Sequence, residues 1–211
     1  MSQYEKYKEV ALAHGLELAI RINPEFSEVG TELYNPCVPG SRLGVTSESF
    51  GKTLPEGISG LHFHALCEQN SDTLVKVLES VEQKFGHLLP QIKWINFGGG
   101  HHITRIDYNI ELLISAIKAF KEKYEVEVIL EPGEAVGWQT GYLVARVEDI
   151  IESNGITTAM LDVSFSAHMP DCLEMPYTPK IWGAESSPVK GHPAYRMGGH
   201  TCLAGDFIGF Y

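Results

Sequence analysis

Apolar residues in the first two-thirds of the chain follow two alternating patterns. Short apolar runs predict buried strands, and longer segments with apolar residues three or four positions apart predict helices. The predicted strands lie at residues 18–22, 60–64, 94–97 and 126–130. Because strands that alternate with helices form right-handed βαβ units, this part of the chain predicts a parallel sheet.

Polar residues that can cap a helix mark where the intervening helices begin. Ser2 and Glu5 have the spacing of a capping box, which predicts an N-terminal helix from that point. Asn70 or Ser71 can cap a second helix, and a third helix follows Asp107. The second helix carries apolar residues at helical spacing, at Leu74, Val77, Leu78, Val81 and Phe85.

From about Gly137 onward, apolar residues alternate with polar ones. Residues 142–152 and 156–164 predict two strands, and the Ser-Asn-Gly sequence at 153–155 predicts a tight hairpin turn between them. Residues 165–200 are rich in proline and predict mostly loop, with a last strand within 201–211. The fold class is therefore α/β, with a parallel part followed by an antiparallel layer. A closed βα barrel needs eight strands and this chain supplies four, so we expect a piece of something larger.

Charge and composition exclude several classes of protein. The chain has 27 acidic and 16 basic residues and a net charge of −11, which argues against a nucleic-acid partner and suits a cationic small molecule. It has no apolar stretch of about 18 residues and no apolar signal segment, so we expect no membrane association. Its four cysteines form no C-x-x-C pair, which favours reduced thiols in the cytoplasm.

Candidate chemistry lies at the carboxyl ends of the predicted strands, where α/β proteins bind ligands. His62 and His64 are two residues apart on a strand and point the same way. They can be packing residues, zinc ligands, or a pair of which one ring stacks on an aromatic cofactor. Gly98, Gly99 and Gly100 form either an ordinary loop or a cradle of backbone amides for a phosphate.

Two further positions can carry chemistry. Glu131, followed by Pro132 and Gly133, places a carboxylate at a strand end, where it can form a salt bridge, ligate a metal or accept a hydrogen bond from a protonated ring nitrogen. Cys202 lies in a glycine-flanked segment with Asp206 nearby. It is either a small buried apolar residue or an exposed thiol that donates or accepts a proton.

Taken in order, these motifs resemble the fold-III pyridoxal-phosphate decarboxylases. Within that family they are most similar to the carboxynorspermidine decarboxylases of polyamine biosynthesis. The ordered motifs are GLHFH at 60–64, NFGGG at 96–100, EPG at 131–133 and GHTC at 199–202. The more specific similarities are HALCE at 64–68, EPGEA at 131–135, LDVS at 161–164 and HMPD at 168–171.

The resemblance implies a role for each matching residue. His64 would stack on the ring of pyridoxal 5'-phosphate, Gly98, Gly99 and Gly100 would bind its phosphate, and Glu131 would hold its ring nitrogen protonated. Cys202 would return a proton to the substrate carbon and would reach into the partner subunit's site, which implies a homodimer with shared active sites. The residues that would contact the amino groups of a polyamine precursor are Glu134, Asp171, Glu174 and Asp206.

The same resemblance implies which parts of the enzyme these residues form. Residues 1–136 would be the C-terminal half of a pyridoxal-phosphate-binding (β/α)8 barrel, and residues 137–211 would be part of an antiparallel β-domain. In the family, the lysine that holds the cofactor lies on the first barrel strand, upstream of the strands found here. We therefore expect residues 1–211 alone to be inactive as a decarboxylase.

Two other interpretations compete with this one. One is a metal-dependent barrel hydrolase that uses His62 and His64, with His101, His102 or Glu131 as further ligands. It explains the histidines but assigns no role to Cys202 or to the glycine run. The other is a non-catalytic remnant that binds a polyamine or a protein partner.

Overall fold

The structure is a computed structural model that describes residues 1–175 and 177–211. It divides into two compact units, which we call the N-terminal unit, Met1–Thr140, and the C-terminal unit, Gly141–Tyr211. The helices are α1 (Ser2–Ala13), α2 (Ser47–Phe50), α3 (Ser71–Phe85), α4 (Ile110–Tyr124), α5 (Gly133–Gly137), α6 (Phe165–His168) and α7 (Asp171–Glu174), with 3-10 turns at Glu32–Tyr34 and Leu89–Gln91. The strands are β1 (Leu18–Arg21), β2 (Ile58–His62), β3 (Trp94–Asn96), β4 (Glu127–Ile129), β5 (Val147–Ser153), β6 (Ile156–Leu161), β7 (Arg196–Gly198) and β8 (Phe207–Phe210).

The N-terminal unit contains the predicted parallel sheet. Its strands lie in the order β1-β2-β3-β4, and each neighbouring pair is parallel. The four strands predicted from the apolar runs are confirmed, but β2 begins and ends two residues earlier than expected. The prediction that His62 and His64 share a strand is therefore wrong, because His64 lies beyond the end of β2. Leu61 of β2 and Ile95 of β3 are completely buried, together with four apolar residues of α3, Leu74, Val77, Val81 and Phe85. The sheet therefore has one face in the core, and the opposite face carries the polar residues described below.

The predicted helix starts were correct in one case and wrong in another. The side chain of Asn70 accepts a hydrogen bond from the backbone N–H of Ser71 at 2.7 Å, so it caps α3 as expected. The capping box at Ser2 is wrong, because α1 begins one residue earlier than that motif requires. Met1 occupies the cap position and offers no side-chain cap bond, and Ser2 is already inside the first turn.

The C-terminal unit contains a second sheet in the order β5-β6-β7-β8. Asn154 and Gly155 adopt φ values of 51° and 76°, which confirms the tight turn between β5 and β6. The predicted antiparallel layer needs a correction, because β6 and β7 pair in parallel and the sheet is mixed. Residues 162–195 supply the long connection that a parallel pair requires.

The proline-rich segment, residues 165–200, is mostly loop in its described residues, as predicted. It contains the single-turn helices α6 and α7, and it ends in β7, a strand that the apolar pattern did not predict. The last strand is shorter than predicted, because β8 spans only Phe207–Phe210 and the residues before it form a loop.

In the part of the chain that the structure describes, no helix is both long and apolar enough to cross a bilayer.

Candidate active site

Three neighbouring strands of the N-terminal unit end in polar residues that lie side by side. Arg21 is the register partner of His62, and His62 is the register partner of Asn96. Residues that are directly opposite each other in a sheet point to the same face, so these three side chains form one row. His64 and Glu131 follow just beyond the ends of β2 and β4, at the same edge of the sheet.

Asn96 connects two of the residues singled out from the sequence. Its side-chain NH2 donates to Glu131 Oε1 at 2.7 Å, and its side-chain oxygen, Oδ1, accepts from the backbone N–H of Gly98 at 2.8 Å. The backbone N–H of Glu131 also donates to the carbonyl of Gly98 at 2.8 Å. Glu131 is thus fixed both through its backbone and through one carboxylate oxygen. No role was predicted for Asn96, although its place at a strand end, two residues before the glycine run, was a usable signal.

His62 faces the other oxygen of the same carboxylate. Its Nε2 atom lies 3.6 Å from Glu131 Oε2, and this buried nitrogen has no hydrogen-bond partner among the described residues. Burial lowers the pKa of His62, and Arg21 and His64 lower it further, while Glu131 acts in the opposite direction. The ring is therefore neutral at neutral pH, so His62 does not cancel the charge of Glu131.

His64 is held in one orientation by the glycine run. The backbone N–H of Gly99 donates to His64 Nδ1 at 3.0 Å, which assigns the ring proton to Nε2. Arg21 donates from Nη2 to the carbonyl of His64 at 3.3 Å. Burial is the main cause that lowers the pKa of His64, followed by the charge of Arg21. A neutral, half-buried imidazole with a fixed tautomer results.

The three glycines allow the chain to pack between two neighbouring loops. A Cβ atom on Gly98 would collide with the carbonyl of Phe63, and one on Gly100 would collide with the carbonyl of Leu66. Gly98 and Gly100 also have φ values of 73° and 80°, which favour glycine. Since Gly98 and Gly99 already donate their amides inside the protein, an anion would compete with Asn96 and His64 for them.

An acidic cluster lies beside Gly100. Glu134 Oε1 is 3.5 Å from Nε2 of the buried His102, and the edge of that ring packs against Trp138. Burial and the neighbouring carboxylate of Glu68 raise the pKa of Glu134, while His102 lowers it. The Glu134 side chain is about half exposed. Because the side chains of Glu68 and Glu134 are neighbours and both residues are exposed, they favour the approach of a cation.

The remaining predicted residues belong to the C-terminal unit. Asp171 and Glu174 are exposed at the two ends of α7. Cys202 is exposed on the loop between β7 and β8. Asp206 is different, because only 4% of it is exposed and its oxygens accept hydrogen bonds within the unit. Its contact with the substrate stays a prediction.

The metal-hydrolase interpretation needs a set of ligands, and the structure does not supply one. Across residues 1–175 and 177–211, no three His, Cys, Asp or Glu side chains lie close enough together to hold a metal ion. His62 and His64 instead contact Glu131 and Gly99, respectively.

The whole chain is similar to known decarboxylases. It is 49% identical over 212 residues to the carboxyaminopropylagmatine decarboxylase of Synechocystis, covering 100% of this chain and 54% of that protein. It is 48% identical over 221 residues to the carboxynorspermidine/carboxyspermidine decarboxylase of Campylobacter jejuni, covering 100% and 57%. The crystal structure of carboxynorspermidine decarboxylase complexed with norspermidine from Campylobacter jejuni matches with a TM-score of 0.82 at 44% identity, covering 100% and 56%. No protein family model matches the chain.

These matches confirm the resemblance and the fold class that the motifs indicated. They also show that the chain spans about half the length of the curated relatives it matches.

Proposed function

We propose that the protein containing these residues decarboxylates a carboxylated polyamine precursor, with pyridoxal 5'-phosphate as its cofactor. The observation that carries the proposal is the Glu131 carboxylate, which is oriented at the strand edge by Asn96 and remains half exposed. Sequence identity of 48–49% to two decarboxylases over the whole chain supports the proposal.

The residues at this edge fit the cofactor. Glu131 would accept a hydrogen bond from the ring nitrogen, and the orphaned Nε2 atom of His62 beside it is a further polar group that a ligand can satisfy. His64 would pack on the ring, and Gly98, Gly99 and Gly100 are the glycines that we assign to the phosphate, which would replace Asn96 and His64 as the partner of the first two amides. Pyridoxal phosphate, when bound, supplies an electron sink for the electrons left on the substrate carbon as CO2 departs.

Neither of the two side chains that face the Glu131 carboxylate, Asn96 and His62, brings a positive charge to it. Asn96 is a neutral donor, so it orients the carboxylate without neutralising it. His62 is neutral because of its burial, so it also leaves the negative charge in place. A full negative charge beside a protonated ring nitrogen stabilises the cationic form of that ring, which is the form that withdraws electrons best.

The substrate class follows from charge. Glu134 has a second carboxylate, that of Glu68, beside it, and Asp171 and Glu174 are exposed. We therefore assign Glu134, Asp171 and Glu174 to the amino groups of a polyamine. The exposed thiol of Cys202 is the group that we assign to return a proton to the substrate carbon. The two relatives are named for different substrates at nearly equal identity. We choose carboxynorspermidine or carboxyspermidine, which differ by one methylene and hence by only about 1–3 kcal/mol in a pocket.

The test is CO2 release by the full-length protein from carboxynorspermidine, carboxyspermidine and carboxyaminopropylagmatine. We expect turnover of the first two, and none from residues 1–211 alone, because these residues lack a lysine in the strand context that the family uses. Glu131→Gln should keep the bound cofactor, measured by its visible absorbance, and lose at least about 100-fold in kcat.

Glu127→Gln is the matched control, because Glu127 begins β4, the strand that Glu131 follows, and pairs with Lys121. Its kcat should be unchanged. Equal activity of the Glu131→Gln variant and the wild type would remove Glu131 from the mechanism. Preferred turnover of carboxyaminopropylagmatine would reassign the substrate.

We also propose a cytoplasmic homodimer in which Cys202 acts in the partner subunit's site. Cys202→Ala and Glu131→Gln variants, each inactive alone, should recover about a quarter of wild-type activity after subunit exchange. Half of randomly mixed dimers contain both variants, and each of those has one intact site of two. Proven exchange without recovery would mean that each site uses Cys202 and Glu131 of one chain. Recovery of the protein in a membrane fraction would contradict the cytoplasmic assignment.

A further inference from the structure

Asp206 is a buried carboxylate whose two oxygens bind two separate segments of the C-terminal unit. Oδ1 accepts from the backbone N–H groups of Phe165 at 2.8 Å and Ser166 at 3.1 Å, at the start of α6. Oδ2 accepts from the Thr201 hydroxyl at 2.6 Å and from the Thr201 backbone N–H at 3.3 Å. One side chain therefore joins α6 to the residue that directly precedes Cys202.

The loop is shaped to receive this carboxylate. A Cβ atom on Gly199 would collide with Oδ2 of Asp206, so residue 199 leaves the space that the carboxylate fills. The backbone N–H of Gly199 also donates to the carbonyl of Asp206 at 2.7 Å, and the N–H of Asp206 donates to the carbonyl of Leu203 at 2.9 Å. The loop from 199 to 206 closes around the Asp206 side chain, and Cys202 lies in its exposed part.

We infer that Asp206 is a positioning residue that fixes the loop carrying the Cys202 thiol. This inference rests on the proposed function for what the thiol does, but the contacts that carry it are independent of the cofactor. It also gives Asp206 a different role from the substrate contact that its sequence position indicated.

The protonation state of Asp206 agrees with this role. Burial raises its pKa, but the hydrogen bonds from Thr201, Ser166 and Phe165 outweigh that effect and leave the pKa below its usual value. An ionised carboxylate can accept from all of these donors at once. An asparagine amide can accept only on one side, so Asp206→Asn must lose the bonds from the backbone N–H groups either of Phe165 and Ser166 or of Thr201, although its NH2 can still donate to the Thr201 hydroxyl.

The experiment compares three variants of the full-length holoenzyme with the wild type. Asp206→Asn removes one of the two acceptor oxygens, Thr201→Val removes the hydroxyl that Oδ2 binds, and Thr201→Ser keeps that hydroxyl. We expect kcat to fall by about 10- to 100-fold in the first two variants, since a misplacement of about 1 Å at a reacting group costs this much. KM and cofactor content should stay the same, and Thr201→Ser should recover wild-type kcat.

A second readout follows the thiol without any turnover. The rate at which iodoacetamide alkylates Cys202, measured by mass spectrometry of its peptide, should change in Asp206→Asn and Thr201→Val and return to the wild-type value in Thr201→Ser. Thr201→Val removes only one hydroxyl, with its bond to Asp206 and the longer bond that it accepts from the backbone N–H of Leu203, so it keeps the test valid if Asp206→Asn fails to fold.

Several results would overturn the inference. One is a wild-type kcat together with a wild-type alkylation rate in Thr201→Val. Another is a fall in kcat that is accompanied by a higher KM and a lower cofactor content, because that combination indicates a general loss of structure. A Cys202→Ser variant with full activity would instead remove the proposed role of the thiol in the reaction. The alkylation rates of Cys202 in the Asp206 and Thr201 variants would still decide whether Asp206 positions the thiol.

Discussion

The two units hold their candidate catalytic groups in different ways. In the N-terminal unit, His62, Asn96 and Glu131 are placed by consecutive parallel strands, so the register of the sheet sets their spacing. In the C-terminal unit, Cys202 lies on a loop whose shape depends on the buried Asp206. A site built on strands fails when its backbone is disturbed, whereas a site built on one buried carboxylate fails when that side chain is changed.

The largest expected effect concerns the backbone of the N-terminal unit. Gly100→Ala should lower the free energy of unfolding by about 2–4 kcal/mol, because Gly100 has a positive φ and its Cβ atom would collide with the carbonyl of Leu66. Urea unfolding of the full-length protein measures the change.

Gly209→Ala is the matched control in the C-terminal unit. A Cβ atom on Gly209 meets no atom within 4 Å, so the change should stay within about 0.5 kcal/mol. Similar stability of the two variants would show that the glycine run is not closely packed, and would remove the contrast between the units.

A smaller effect should distinguish the units by pH. The pKa values of His62, His64 and His101 are lowered, in each case chiefly by burial, so the unfolded chain binds protons more readily than the folded N-terminal unit. The stability that these histidines provide is fully present above their unfolded pKa of about 6.5 and is lost as the pH falls below it.

The C-terminal unit should respond at lower pH. Asp206 has a lowered pKa, so its contribution is present above the ordinary aspartate range and is lost only as the pH falls through that range. Hydrogen exchange at about pH 7 and about pH 5.5, compared unit by unit, should show earlier loss of protection in Met1–Thr140. Simultaneous loss in both units would contradict the assignment.

The sequence predicted what depends on local pattern. Apolar runs located β1 to β4, and the residues at their ends, such as His64 and Glu131, followed directly. The hairpin turn at Asn154 and Gly155 was predictable for the same reason, since those residue types favour positive φ.

Pairings between distant residues could not be predicted in this way. The parallel pairing of β6 with β7 depends on a connection through residues 162–195, which no local period reveals. The bond between Asn96 and Glu131 joins two strands, and the burial of Asp206 depends on α6, a helix turn within a proline-rich segment. The family resemblance assigned Asp206 to the substrate, which stays a prediction, and it gave no sign that the oxygens of Asp206 bind the protein itself.

The close fit between Gly199 and Asp206 has a consequence for how this sequence can evolve. A side chain at position 199 and a carboxylate at position 206 would occupy the same space, so neither position can change freely while the other stays fixed. Among homologous sequences, a larger residue at 199 should occur together with a smaller or apolar residue at 206, as a covarying pair. In such lineages a different residue would have to hold the start of α6 and the loop of Cys202 together.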